Sequence, residues 1–295
     1  MKRNKRFEVQ YNFDYKLIDI YQDYKNYISY IYLPPYREDS INSRTVIEST
    51  DKNDPLYAPQ SRMEYNDHIK YINNAGFNIL LLWQDKNNFI SEKTIENYTN
   101  LGINGFIVAN DENAKIIKKY DKNIITVASI VQRLSFNKLK IGDFSYYDYI
   151  VLFFPFTRGL DAIKQLSHLK DKLMPNKICY TECNGVRHWF ATKESIKELN
   201  CSKLANIENC NLIDPTHLYL FDEFVAGYKL QGREYRTEHI KYNLYLYSKR
   251  KPITKKFQGK YIYKAYKEKI NNVDLNVYYN KTTEDILRGK YEYND

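Results

Sequence analysis

The sequence predicts an α/β protein built as a (β/α)8 TIM-like barrel, and three observations predict it. Short apolar runs alternate with segments of helical period along most of the chain, the sign of repeated βα units and a parallel sheet. Eight such runs fit within about 250 residues, the usual size of that barrel. Glycines stand just past a helix and just before a strand at Asn74-Ala75-Gly76 and Leu101-Gly102-Ile103, where helix C-caps place them. An open doubly wound sheet is the structural alternative, but no Gly-rich dinucleotide fingerprint follows any strand.

The expected strands are Phe7 to Tyr11, Ile28 to Leu33, Phe77 to Trp83, Gly105 to Ala109, Ile124 to Ala128, Tyr149 to Phe154, Lys177 to Thr181 and Gly227 to Gln231. Between them the helical period predicts Tyr15 to Tyr24, Met63 to Ala75, Ser91 to Leu101, Glu112 to Tyr120, Leu160 to Leu173 and Lys193 to Leu199, with a last helix over Thr237 to Tyr247. In the helix from Leu160, the residues Leu160, Ile163, Leu166, Leu169 and Leu173 recur at three and four and would lie against a sheet. Pro34 to Arg62 is a long polar loop after the second strand, at what would be the catalytic face. The barrel is expected over residues 1–250. Residues 251–295 form a C-terminal extension rich in Lys and Tyr, whose stretches Phe257 to Ala265 and Val273 to Tyr279 alternate weakly, as a small β hairpin would.

With 43% hydrophobic and 27% charged residues the chain reads as globular. Its formal net charge of +9 favours polyanions such as RNA. The lysines are spread along the chain, however, and the wealth of Lys, Asn, Ile and Tyr has the look of an AT-rich genome. The basic start Met1-Lys2-Arg3-Asn4-Lys5-Arg6 runs into the alternating Phe7-Glu8-Val9-Gln10-Tyr11 rather than an apolar stretch, unlike a signal peptide. No segment approaches the roughly 18 apolar residues that span a bilayer. A soluble, cytoplasmic protein with no membrane association is expected.

All four cysteines, Cys179, Cys183, Cys201 and Cys210, fall in one window of 32 residues. Soft thiolates at short spacing, without a secretory signal, read more naturally as metal or iron-sulfur ligands than as disulfide partners. Four thiolates suit a [4Fe-4S] cluster or a tetrahedral zinc, and the C-x3-C, x17, x8 spacing does not separate the two. Free, partly buried thiols holding no metal are the bland alternative. On the expected strand ends, Cys179 sits within the seventh strand and Cys183 just after it, which brings the thiols to the barrel mouth.

Beside the second cysteine, Asn184-Gly185-Val186-Arg187-His188-Trp189 carries a histidine able to act as acid or base, or to orient a substrate. A lone histidine is more often structural. In Lys229-Leu230-Gln231-Gly232-Arg233 the alternation points Lys229, Gln231 and Arg233 to one side. A charge inside a barrel is costly unless paired or bound to an anionic group, which favours a functional role for Lys229. Asn110, Ser129, Arg158 and Glu182 follow the fourth to seventh expected strands at the level where barrel enzymes keep substrate-binding and catalytic groups. No Gly-x-Ser-x-Gly elbow surrounds Ser129.

Asn74-Ala75-Gly76-Phe77-Asn78-Ile79-Leu80-Leu81, Gly102 to Asn110, Cys179-Tyr180-Thr181-Glu182-Cys183 with Arg187-His188, and Tyr228 to Arg233 occur in an order that resembles the peptidase U32 family, also called collagenase-like proteases. The resemblance covers roughly residues 7–249. It implies a TIM-like barrel and, as in several members, an iron-sulfur protein for oxygen-independent hydroxylation of a quinone precursor or of RNA bases. Carried over, it implies Cys179, Cys183, Cys201 and Cys210 as cluster ligands and Lys229 and Arg233 as pocket residues. Asn184 stands where the family usually has a small residue or proline, and the gap between the last two cysteines is short.

Three functions follow as expectations. The first is a U32-like iron-sulfur enzyme acting on an aromatic, nucleobase or peptide substrate, with His188, Lys229, Arg233 and Glu182 as catalytic residues and Asn110, Ser129, Arg158 and Arg187 binding substrate. It would need an electron donor, and a protein partner is a natural source. The second is a U32-type peptidase, for which the sequence offers no nucleophile-base pair and no His-Glu-x-x-His helix. The third is a noncatalytic barrel, a subunit of a complex, whose cysteines bind zinc or nothing.

Overall fold

The computed structural model describes residues 6–39, 49–52, 54, 57–85, 89–176, 212–232, 236–253 and 273–290. Eight parallel strands close into a barrel in sequence order: β1 (Arg6–Gln10), β2 (Ile28–Leu33), β3 (Ile79–Trp83), β4 (Gly105–Val108), β5 (Ile125–Ala128), β6 (Tyr149–Val151), β7 (Asp171–Leu173) and β8 (Gly227–Lys229), with β8 pairing back onto β1. Helices α1 (Tyr15–Gln22), α2 (Arg62–Asn74), α3 (Glu92–Asn100), α4 (Asp111–Tyr120), α5 (Phe136–Ile141), α6 (Leu160–Gln165) and α7 (Thr237–Ser248) follow the strands. The (β/α)8 prediction holds.

The helix starts are written locally. Asp14, Ser61, Ser91, Asn110 and Ser135 each accept a backbone N–H two or three residues ahead, satisfying one of the orphan donors at the N-termini of α1 to α5. At the other end, Gly76 and Gly102 take positive φ of 73° and 95°, the left-handed cap that lets α2 and α3 turn at once into the next strand.

Strand pairing sorts the wall into two faces, because paired residues of parallel strands share a side and neighbours alternate. Phe7, Val9, Ile31, Leu33, Ile79, Leu81, Phe106, Val108, Ile150 and Tyr228 point outward into the apolar layer under the helices. Glu8, Gln10, Tyr30, Tyr32, Leu80, Leu82, Ile107, Val127, Tyr149, Lys172 and Lys229 point into the barrel. Outside is apolar except for Thr126 and Asp171, and one side of the inside is polar.

The structure corrects several expectations. The seventh strand is Asp171–Leu173 rather than Lys177 to Thr181. The helix expected to reach Leu173 stops at Gln165, so Leu166 ends α6, and the chain re-enters the sheet six residues later between β6 and β8. Cys179, expected within the seventh strand, follows β7 in the sequence and lies outside the described residues. Helix α5 was not expected; Ser135 caps it, and Phe136 and Leu139 bury one face. In the C-terminal extension Val273 to Tyr279 is not a strand, since Leu275–Tyr279 forms helix α8, followed by α9 (Thr283–Leu287). The expected helix Lys193 to Leu199 and the stretch Phe257 to Ala265 lie outside the described residues.

Helices α8 and α9 pack on the β6–α6 side of the barrel. The Thr282 hydroxyl donates to the Pro155 carbonyl at 2.8 Å, and Ile286 packs against Gly159, where an added Cβ would come within 2.4 Å of its Cδ1. Among the described residues no helix is long and apolar enough to cross a membrane.

Candidate active site inside the barrel

Glu8 on β1 is fully buried and receives two ammonium groups from neighbouring strands. Lys172 Nζ lies 2.9 Å from its Oε2 and Lys229 Nζ 2.5 Å from its Oε1. Aromatic rings cover the lysines: Lys229 Nζ is 3.9 Å from the Tyr32 ring centroid, and Lys172 Nζ is 3.9 Å from Tyr149 and 5.0 Å from Tyr30. Burial raises the Glu8 pKa, yet the two lysines outweigh it and hold the carboxyl down at about 2. Glu8 is thus an anion at every ordinary pH. Such a triad is an expensive way to fill a barrel, since desolvating the charges offsets their attraction, and that cost marks it as a candidate site rather than a stability device.

One layer nearer the C-terminal mouth stands a group of carboxamides. Asn176 donates from Nδ2 to the Gln231 carbonyl at 2.8 Å and accepts the Gln231 N–H on Oδ1 at 3.0 Å. Gln10 Nε2 reaches the same carbonyl at 3.4 Å, and the Tyr32 hydroxyl donates to the Leu230 carbonyl at 2.7 Å. Across the mouth, Gln84 Nε2 donates to Ser129 Oγ at 3.1 Å. The barrel therefore offers fixed charge below and neutral donors and acceptors above, which suits holding and orienting a polar ring or amide.

Of the residues expected at the site, Lys229 and Ser129 reach the barrel interior or its mouth. Lys229 is in an ion pair, and its partner is Glu8. Asn110 does follow β4, but its side chain accepts the Asn113 N–H at 2.8 Å and caps α4. Arg158 is placed elsewhere. It is 2% exposed at the end of the 3-10 turn Phe154–Arg158; its Nε donates to the Tyr278 carbonyl at 2.8 Å and its guanidinium lies 3.3 Å from the Tyr278 ring centroid. It ties the C-terminal helices to the barrel. Glu182, Arg187, His188, Arg233 and all four cysteines lie outside the described residues. Among the described residues, no group of three or more His, Cys, Asp or Glu is placed to hold a metal.

Sequence reasoning missed Glu8, Gln10, Lys172 and Asn176. The alternation of Phe7-Glu8-Val9-Gln10-Tyr11 was a usable signal, because it puts a carboxylate and a carboxamide together on the face opposite three apolar residues. Lys172 had no such signal in a segment of helical period. A buried imidazole, His68 on α2, also turned up near the β1 end. Its Nδ1 meets the Tyr11 hydroxyl at 2.8 Å, Tyr15 stacks on it, and burial pushes its pKa down to about 4, so it is a neutral core histidine near pH 7.

No protein-family model matches the sequence, and no curated protein matches it. Among solved structures, the barrel is similar to the U32 peptidase Mk0906 at 12% identity, over 77% of this chain and 93% of that one, with a TM-score of 0.45. It is also similar to a mutant tryptophan synthase α-subunit of Pyrococcus furiosus, at 15% identity over 83% and 98% of the two chains, TM-score 0.47. A third is the glycerophosphodiester phosphodiesterase of Agrobacterium tumefaciens, at 8% identity over 82% and 99%, TM-score 0.40. These are similarities of fold, and no activity follows from them.

Proposed function

We propose that this chain is a U32-like barrel enzyme that holds its substrate at the C-terminal mouth of the barrel and carries a [4Fe-4S] cluster on Cys179, Cys183, Cys201 and Cys210. One observation supports it above the others. β7 ends at Leu173 and β8 begins at Gly227, so all four cysteines belong to a single connection, and it leaves from the barrel face where parallel-barrel enzymes do their chemistry. The interior beneath that face contains the buried Glu8–Lys172–Lys229 triad.

The donor set fits the group, since four soft thiolates in one connection match iron-sulfur ligation. When bound, the cluster would relay electrons in an oxygen-independent hydroxylation or related modification of an aromatic, nucleobase or peptide substrate, in which the hydroxylated carbon gives up two electrons and a proton as it gains an oxygen from water or another non-O2 donor. The chain's own residues have other tasks. Glu8 and its lysines hold a fixed, water-poor field under the substrate, and the carboxamide layer orients it. His188 and Glu182 would move protons, while Arg187, Arg233 and Ser129 would bind. A protein redox partner that exchanges electrons with the cluster in the cytoplasm completes the reading, with RNA as a candidate source of the substrate base.

Purification without oxygen tests it. The expected result is a brown protein with stoichiometric iron and sulfide, bleached by Cys183→Ser. A colourless protein with one tightly held zinc would make it a noncatalytic metal-binding barrel. Peptide cleavage that survives loss of the cysteines would make it a peptidase.

A further inference from the structure

Gln10 contains a polar atom that the fold leaves unused. The residue is 1% exposed and points into the barrel directly above Glu8, yet its Oε1 has no hydrogen-bond partner among the described residues. The orientation of this carboxamide is set by its neighbour. The Gln231 carbonyl already accepts from Asn176 Nδ2 and faces Gln10 Nε2, so turning the amide over would set two carbonyl oxygens against each other. Nearby hydroxyls are spent elsewhere: Tyr32 donates to the Leu230 carbonyl, and Tyr21 donates to the backbone carbonyl of Gln10 itself. Among the described residues, the fold thus holds out an acceptor and supplies no donor. Burying such a group without a partner is unfavourable, and native proteins rarely do so without a ligand or an ordered water to meet it.

The surroundings say what kind of donor. The residues two positions beyond Glu8, Leu82, Val127 and Lys229 on the same inward face are Gln10, Gln84, Ser129 and Gln231, all of them neutral. The only carboxylate of the triad is already engaged by two lysines, so a cation would find no open counter-charge there. Phe153, two residues past the end of β6, is a buried aromatic ring with the Arg133 guanidinium 5.7 Å from its centroid. An uncharged planar ring with an N–H next to a carbonyl matches both features: the ring lies on an aromatic face, and the N–H meets a preset acceptor.

We propose that Gln10 Oε1 is the specificity-determining acceptor of the barrel site and takes the N–H of a neutral cyclic amide. This rests on reading the barrel mouth as a substrate site. The probe pair is 2-pyridone and N-methyl-2-pyridone, which share a ring and differ in the one N–H, with binding followed by ligand-observed NMR on the full-length protein. The expected result is that 2-pyridone binds about tenfold or more tightly than its methylated partner, because a site built around a hydrogen bond rejects the analogue that lacks it. Gln10→Met is expected to remove that preference while leaving Tm unchanged or raised, since Oε1 has no partner among the described residues and the Gln231 carbonyl, which Nε2 meets only at 3.4 Å, keeps Asn176 Nδ2 as its donor at 2.8 Å. Equal binding of the two rings, or no binding of either, overturns the proposal. So does a Gln10→Met protein that keeps the preference, or one whose Tm falls as it would for an amide satisfied inside the fold. If the variant does not fold, the ligand pair on the native protein still decides. A brown protein indifferent to the N–H would sink the Gln10 assignment alone, and a colourless one that prefers 2-pyridone would sink the cluster alone.

Discussion

Glu8 and Asp171 are both buried carboxyl groups in the barrel wall, on strands separated by one other, and they face opposite ways. Glu8 points inward and is met by Lys172 and Lys229, which hold its pKa at about 2 against the opposing effect of burial. Asp171 points outward into the layer beneath the helices, where neither carboxyl oxygen has a hydrogen-bond partner, and burial pushes its pKa well above the ordinary aspartate range. Its sequence neighbour Lys172 sits on the other face and cannot help it. Burial alone therefore does not set the charge of a carboxyl; the side of the strand on which it falls does, because one face offers cations and the other offers hydrocarbon.

The comparison can be broken most forcefully at Glu8. Glu8→Gln leaves two buried ammonium groups without their counter-ion and is expected to cost about 3–5 kcal/mol in urea unfolding. In the native protein, the depressed pKa means that Glu8 stabilises the fold fully above its unfolded value near 4.5, and that this contribution, about 3 kcal/mol by linkage, drains away as pH falls toward 2. Unfolding curves of the variant should lack that acid limb. A variant as stable as the native protein, with the acid limb intact, would show that the triad does not form.

Lys172→Met sharpens the point, because it removes one of the two cations and keeps the other. We expect a loss of about 2 kcal/mol, in the range of a hydrogen bond to a charged group. The acid limb should still begin near pH 4.5 but be smaller and end at a higher pH, since Glu8 is then held down by Lys229 alone. An unchanged limb would mean that Lys172 contributes nothing to the charge state of Glu8.

Asp171→Leu has the smallest expected effect and the opposite sign. With its pKa raised, the folded state keeps a proton that the unfolded chain releases, so the stability tied to this group is complete below about pH 4 and is lost as pH rises. The variant should gain about 1 kcal/mol at pH 8, with the gap closing toward pH 4, as measured by thermal or urea unfolding. A loss at pH 8 would mean that Asp171 is satisfied in solution.

Most of the barrel was legible because its elements announce themselves locally. Ile28 to Leu33 matches β2 at both ends, and Ser61, Ser91 and Asn110 stand where helices begin. β7 was illegible for a physical reason. It is three residues long, two of them charged, and it follows a leucine series of helical period that runs on past the true helix end. What makes Asp171-Lys172-Leu173 a strand is the pair of neighbours on either side, with Lys172 satisfied by a carboxylate 164 residues away. The misplaced strand moved the expected position of Cys179, and the four cysteines themselves lie outside the described residues. At the site, Lys229 was readable as a charge in an apolar strand, whereas Asn110 and Arg158 shared its level in the sequence but are spent on a helix cap and on the C-terminal helices.

By itself the sequence determined the (β/α)8 architecture, the capped helix starts, the glycine turns and the clustering of four thiols in one stretch, because each depends on residues within a turn or two of one another. Only the tertiary structure decided which charged side chains meet: that Glu8 draws in both lysines, that Arg158 is spent on Tyr278, and that Gln10 and Asp171 keep oxygens no partner reaches. Closure of the barrel brings strands from both ends of the chain to one axis, and electrostatics acts across those few ångströms of space, to which distance along the chain is no guide.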